Sequence, residues 1–280
     1  MILITPTDLK LAANDLPPSP QVFGKLGKLL RDPFTGLNDI TDLVNTDASL
    51  TARVLRLSNS ALYGHCIPID TLDDAINRVG FRAVFKLVGV VAVSEVFSHR
   101  NVTYSVEGSL LWENALCCGL AMETLAQKLG MDEQEAYTLG LLRSFGKLVI
   151  NTCVTKQEKP ISFSGNANSR LVEWEEEHFG LNNPQAAGFL LSTWNFPADT
   201  IDAIQNQYTP EAAIQSKDAA MLNLAALIAE NLGKALPGES KYWESAETYL
   251  QQLGLNGTHL EEAQEYAEEA LESVIASVAA

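Results

Sequence analysis

The sequence predicts an all-α fold with two lobes. Apolar residues recur at spacings of three and four along nearly the whole chain, which is the signature of amphipathic helices. No sustained period-2 run of β-branched residues appears between turn signals, so strands are not expected. With 46% hydrophobic and 19% charged residues over 280 positions, the chain can bury a sizeable core in one large domain or two small ones, which excludes a mainly disordered protein.

The elements follow in order. After the punctuation Pro17-Pro18-Ser19-Pro20, Val22, Phe23, Leu26, Leu29 and Leu30 form one helix face, and Leu37, Ile40, Leu43 and Val44 a second. Asp47 is the expected N-cap of a third helix with Leu50, Val54 and Leu57 inward, because its carboxylate can accept from a free backbone N–H of the first turn. Thr71-Leu72-Asp73-Asp74 reads as a capping box opening a fourth through Ile76 and Val79. The helix expected from Phe81 to Phe97 is apolar on most sides, which makes it the central element of the first half. His99 to Gly108 is short, polar and interrupted, and marks the boundary between lobes.

Beyond it, a helix over 109–129 ends at Gly130 as C-cap. Asp132 then opens one running past Leu139, Leu142 and Phe145 into the Val149 region. Lys156 to Asn168 is rich in Ser, Asn, Pro and Gly and reads as a loop. Further helices are expected at 169–179, 184–194, 197–206, 217–232, 242–252 and 259–278, with Asn183-Pro184 as a cap and first-turn pair and Thr258-x-x-Glu261 as a capping box. The organisation expected is an N-terminal lobe at 1–100, a second lobe at 101–235 and an acidic C-terminal extension at 236–280, with one continuous domain as the alternative.

Charge narrows the function. The first hundred residues carry ten basic and ten acidic side chains, so the whole net charge of -16 falls beyond them. Such an excess opposes a phosphate backbone, and nucleic acid is not an expected partner. The longest apolar run, Leu87 to Val93, is far short of a membrane span, and no signal-peptide pattern opens the chain, so neither export nor membrane insertion is expected. Cys66, Cys117, Cys118 and Cys153 lack metal-ligand spacing and suit buried free thiols in a reducing cytoplasm. The four histidines, His65, His99, His178 and His259, form no ligand pair on one helix, and no P-loop, GxGxxG or GxSxG occurs. The run Glu173, Glu175, Glu176, Glu177 and the glutamates 262, 265, 268, 269 and 272 read as solvated helix faces.

One segment stands apart: the amphipathic run from Leu50 through Arg53, Arg56 and Leu57 ends in the dense cluster Ser58-Asn59-Ser60-Ala61-Leu62-Tyr63-Gly64. With Leu16-Pro17-Pro18 upstream, Asp70-Thr71-Leu72-Asp73-Asp74-Ala75-Ile76 to Gly80 downstream, and then Leu111-Trp112-Glu113-Asn114 and Gly140-Leu141-Leu142-Arg143-Ser144-Phe145-Gly146-Lys147-Leu148, it resembles the signature of the HDOD family, the HD-related output domain of bacterial signalling proteins, over roughly residues 15–230. The resemblance implies a two-lobed, HD-domain-like bundle. HD phosphohydrolases hold one or two metal ions through scattered histidines and aspartates and activate a water against a phosphate ester. Where they carry the first histidine this chain has Asn114, and where they carry the His-Asp pair it has Arg143-Ser144. Later ligand positions correspond to Asn183, to Gln207 or Tyr208, to Asn223, and for the final aspartate to Ala226.

The resemblance therefore implies a degenerate site and a non-catalytic cytoplasmic signal-transduction module, with no metal or cofactor, that acts by binding protein partners. Two alternatives stand beside it: an HD-type metal-dependent phosphohydrolase with another ligand set, and a nucleotide-binding sensor that does not hydrolyse. Arg143 either holds a phosphate or carboxylate of a small ligand in the relict pocket or pairs with a nearby carboxylate of the chain. Arg56, Asn59, Ser60 and Tyr63 are candidates for a recognition surface; the alternative for the polar cluster is a capped helix end that satisfies the turn after it.

Overall fold

Side-chain caps set the starts of several helices in the computed structural model, which describes residues 2–32, 34–60, 69–165, 170–244 and 246–279. In chain order the helices are α1 (Pro6–Asn14), α2 (Ser19–Arg31), α3 (Leu37–Asn45), α4 (Ala48–Ser58), α5 (Leu72–Val79), α6 (Phe81–Val96), α7 (Gly108–Leu129) and α8 (Glu133–Leu142). Then come α9 (Phe145–Thr155), α10 (Leu171–Phe179), α11 (Asn183–Thr193), α12 (Ala198–Gln205), α13 (Pro210–Ala213), α14 (Lys217–Asn231), a 3-10 turn at Ser240–Tyr242, α15 (Ala246–Leu253) and α16 (Gly257–Ala279). Among the described residues the only extended pairing is an isolated bridge between Asn101 and Val106. The fold is all-α, as expected.

The chain divides into two compact units, one of residues 17–96 with 269–280, the other of residues 1–16 with 97–268. The expected partition at residues 100 and 235 differs in detail. Residues 1–16 belong with the later helices because Ile2 and Ile4 donate backbone hydrogen bonds to the carbonyls of His178 and Phe179 at 2.8 and 3.0 Å. Residues 236–268 belong to that unit as well, so they are not a separate extension.

In the 17–96 unit, α6 is the central element: Val84, Phe85, Leu87, Val88, Val90 and Val91 are all buried, and α2, α4 and α5 pack on it. Phe23 stacks on Phe85 with ring centroids 4.8 Å apart. Asp47 caps α4 by accepting from the N–H of Leu50 at 3.0 Å, and Thr71 caps α5 by accepting from Asp74 N–H at 3.1 Å.

In the other unit, the buried helix α7 packs against α8 and α14, while α9 packs against α11 and α1. Three local expectations are corrected here, and one helix was unforeseen. The helix opened by Asp132 is two helices, because each half is fixed against a different neighbour. On α8, a Cβ at Gly140 would lie 2.6 Å from the Cys118 backbone of α7; on α9, one at Gly146 would lie 1.8 Å from the Asn183 carbonyl. The helix is interrupted at Arg143 and Ser144. Asn182, not Asn183, caps α11, in a reciprocal box with Gln185, and places Pro184 in the first turn. The reciprocal cap of α16 is Asn256 with His259, not Thr258 with Glu261. Finally, α1 was not expected; Thr5 and Asp8 build its capping box around Pro6, with aspartate in the place usually held by Glu or Gln.

The segment His99 to Gly108, expected as the boundary between lobes, buries Asn101, Thr103 and Tyr104.

Candidate functional site

Elements distant in sequence bring a fully buried polar cluster together inside the 97–268 unit. Asn114 comes from α7, Arg143 from the α8–α9 turn and Lys147 from the first turn of α9; Gln207 and Tyr208 follow α12, and Glu239 and Trp243 lie on the segment after α14. The side chains of Arg143 and Lys147 are 0% exposed and that of Glu239 is 2% exposed. One carboxylate serves both cations. Arg143 Nη2 donates to Glu239 Oε2 at 2.7 Å, while Glu239 Oε1 accepts from Lys147 Nζ and, at 2.5 Å, from the Tyr208 hydroxyl.

The remaining donors are also placed. Arg143 Nη1 donates to Asn114 Oδ1 at 2.7 Å and its Nε to Gln207 Oε1 at 3.3 Å, while Lys147 Nζ also lies 2.9 Å from the Tyr208 oxygen. The guanidinium lies 5.5 Å from the Trp243 ring centroid, and Lys147 Nζ is 5.7 and 5.4 Å from those of Tyr104 and Tyr208. Burial alone would raise Glu239, but Arg143 and Lys147 outweigh it and hold its pKa at about 2. Arg143 runs the other way: burial opposes its charge, and the attraction of Glu239 prevails and raises its pKa.

A second buried carboxylate lies close by. Glu175 of α10 accepts from the Tyr104 hydroxyl at 2.5 Å, from the backbone N–H of Asn183 at 2.7 Å, and from Asn183 Nδ2 at 3.0 and 2.9 Å. Burial pushes its pKa up to about 7 against the pull of Lys147 and of these donors. Tyr104 belongs to both groups, since its ring faces Lys147 and its hydroxyl serves Glu175.

The positions singled out in the sequence are distributed as follows. Asn114 and Arg143 are in direct contact. Asn183 sits with Glu175, and Asn223 Nδ2 donates to the Gln207 carbonyl at 2.6 Å, while Gln207 Nε2 donates to that of Arg143 at 3.1 Å. Ala226 is buried against Tyr208 and Trp243. Ser144 is buried, and its hydroxyl has no hydrogen-bond partner among the described residues.

Of the other candidates, all in the 17–96 unit, Arg56 is exposed. Asn59 donates to the carbonyls of Leu55 and Ile69 at 3.0 and 2.8 Å and accepts from Ile69 N–H at 2.6 Å, and Ser60 donates to the Leu57 carbonyl at 2.7 Å. Tyr63, His65 and Cys66 lie outside the described residues.

Sequence reading missed Lys147, Glu239, Tyr104 and Glu175 as members of the site. Glu175 contradicts the reading of the 173–177 run as a solvated face. Its signal was present: Leu171, Glu175 and Phe179 lie four apart, so the glutamate sits in a buried stripe between two apolar residues. The glutamates of α16 at 262, 265, 268, 269 and 272 are exposed, as expected.

Beside the cluster a cleft of about 470 Å³ is lined by Arg170, Glu173, Asn182, Tyr208, Lys241 and Tyr242, among others. Arg143 does not line it. Among the described residues no helix is long and apolar enough to cross a membrane.

Comparison with known proteins adds a family. The sequence model of the HDOD domain matches residues 16–210. A curated protein of Treponema pallidum (strain Nichols), named "Uncharacterized protein", is 26% identical over 213 residues; the match spans 70% of this chain and only 39% of that one. Among solved structures, the "Putative phosphohydrolase" of Shewanella amazonensis SB2B matches with a TM-score of 0.68 and 26% identity over 95% of this chain and 96% of its own. An HDOD domain protein with unknown function from Geobacter sulfurreducens has the same fold, with a TM-score of 0.67 and 22% identity over 97% of each chain. So does the "Putative signal transduction protein" of Marinobacter aquaeolei VT8, with a TM-score of 0.71 and 22% identity over 96% of this chain and 64% of that one.

Proposed function

The chain belongs to the HDOD domain family, and from that premise we propose that it is a non-catalytic regulatory module of signal transduction that acts by binding protein partners. The observation that carries the reading is the Arg143–Glu239–Lys147 cluster. An HD-type centre needs imidazoles and carboxylates with free lone pairs converging on a dication. The corresponding positions here supply the neutral amides of Asn114, Asn183 and Asn223, the methyl group of Ala226 and the guanidinium of Arg143.

The donor set does not fit a metal ion. Two buried cations repel a dication at close range, and the one carboxylate between them already accepts from Arg143, Lys147 and Tyr208. The groups that would perform hydrolysis are thus replaced by groups that bond to one another. A domain built this way transmits a signal through what it binds, in keeping with the family it belongs to.

The test is metal content by elemental analysis after incubation with excess manganese, iron and zinc, followed by assay against phosphate monoesters, nucleotides and cyclic dinucleotides. Substoichiometric metal and no turnover are expected. One or two tightly bound ions per chain with turnover of any of these esters would sink the reading.

A further inference from the structure

We propose that Arg143 and Lys147 form an oxyanion site whose resident occupant is the chain's own Glu239, and that the phosphate group of a small ester entering through the adjoining cleft competes with this carboxylate and releases the segment 236–243. The proposal rests on the reading above that the cluster holds no metal ion.

Three donors from two parts of the chain surround one anion: the guanidinium of Arg143 and the ammonium of Lys147 from the α8–α9 region, and the hydroxyl of Tyr208. Fork, point charge and hydroxyl together recognise a phosphoryl group as readily as a carboxylate. Within this triad one carboxylate faces two cations, which leaves one positive charge in excess. A phosphate monoester dianion would balance it.

The carboxylate is delivered by a segment that can leave. Residues 236–243 contain only a 3-10 turn, so few backbone hydrogen bonds hold them in place. Gly238, next to Glu239, has φ +79, and a Cβ there would lie 2.6 Å from the Phe163 ring and 3.2 Å from Leu171. The seat of the segment therefore depends on close approach at a position that tolerates no side chain.

The same segment forms a wall of the cleft through Lys241 and Tyr242. Tyr208 lines the cleft as well, and its hydroxyl bonds Glu239, so one side chain connects the opening with the anion site. A volume of about 470 Å³ is within the range of small-molecule sites.

Trp243 reports on the exchange because it lies over Arg143 and is 4% exposed. The experiment titrates the wild-type chain with inorganic phosphate and pyrophosphate at ionic strength held constant with KCl. Trp243 emission is isolated by difference from W243F, and hydrogen exchange of the 236–243 amides is followed in parallel. A saturable red shift, with exchange of those amides at least about tenfold faster, is expected. In G238A, where the seat is strained, half-saturation should fall at least about tenfold.

No saturable response of the wild type overturns the proposal, whether or not G238A folds. A folded G238A whose half-saturation is unchanged or higher overturns the competing role of the segment. Elemental analysis of the same samples separates the two readings: a metal-free chain without a phosphate response defeats only this proposal, whereas stoichiometric metal defeats the reading beneath it.

Discussion

Glu239 and Glu175 are both almost wholly removed from water within the same unit, yet their surroundings drive them in opposite directions. Glu239 faces two cations, which outweigh its burial and hold it ionised down to about pH 2. Glu175 is met at hydrogen-bond distance by neutral donors only, the Tyr104 hydroxyl and two N–H groups of Asn183; burial prevails and its pKa rises to about 7. A dipole can orient a buried carboxylate without compensating its lost hydration, and a full countercharge can do both.

The largest loss is expected when the anion shared by the two cations is removed. E239A leaves Arg143 and Lys147 buried and facing each other, and should cost about 3–5 kcal/mol of stability, read from urea unfolding at pH 7. Replacing the whole triad, as R143M/K147M/E239L, should recover most of that loss, since a well-packed apolar trio carries no desolvation cost. If E239A unfolds like the wild type, the cations are not the dominant partners.

The pH dependence sharpens the contrast. Glu239 has a lowered folded pKa, so its contribution is complete above the ordinary carboxylate value of 4.5 and is lost as pH falls toward about 2. Glu175 has a raised one, so its favourable contribution is present below 4.5 and is lost as pH rises through about 7. E175Q cannot ionise. Its stability between pH 4.5 and 7 should lack the decline of the wild type, a difference of about 3 kcal/mol at pH 7, measured by unfolding curves at each pH. Equal slopes for the two proteins would show that Lys147 together with the donors of Tyr104 and Asn183 suffices to keep Glu175 ionised.

The sequence made the helices legible because they carry apolar stripes and several begin at a capping side chain, as those of Asp47 and Thr71 do. The break between α8 and α9 was not legible. Arg143 and Ser144 are both acceptable inside a helix, and the turn is imposed by the separate approaches of Gly140 and Gly146 to other helices. Within the site, Arg143 and Asn114 were found through the family motif, and Glu175 could have been found from the stripe Leu171, Glu175, Phe179. Glu239 offered no local signal. It follows Leu236-Pro237-Gly238, which reads as a surface turn, and its bond to Arg143 spans 96 residues.

Neutral donors can also be tested where water is near. In the 17–96 unit, the exposed Asn59 ends α4 and ties Ile69 to it through both its amide nitrogen and its amide oxygen. N59A should cost about 1–2 kcal/mol in thermal or urea unfolding, and N59D, which keeps the acceptor and loses the donor, should fall between it and the wild type. Equal losses in N59A and N59D would assign the closure to the donor alone.

The smallest effect is expected where two opposite charges meet in partial contact with water. Lys234 Nζ and Glu113 Oε2 are 2.5 Å apart, with side chains 28% and 22% exposed, so both charges keep part of their hydration when the pair is broken. E113Q should therefore cost only about 0.5–1 kcal/mol in low salt, and less in 1 M NaCl, where screening weakens what remains of the attraction. The loss of E239A should change less with NaCl, because the charges it exposes to one another are buried and bulk salt screens buried pairs weakly. A salt-independent loss in E113Q comparable to that of E239A would mean that geometry rather than burial sets the worth of an ion pair in this unit, and the contrast between Glu239 and Glu175 would then need a cause other than countercharge in a dry site.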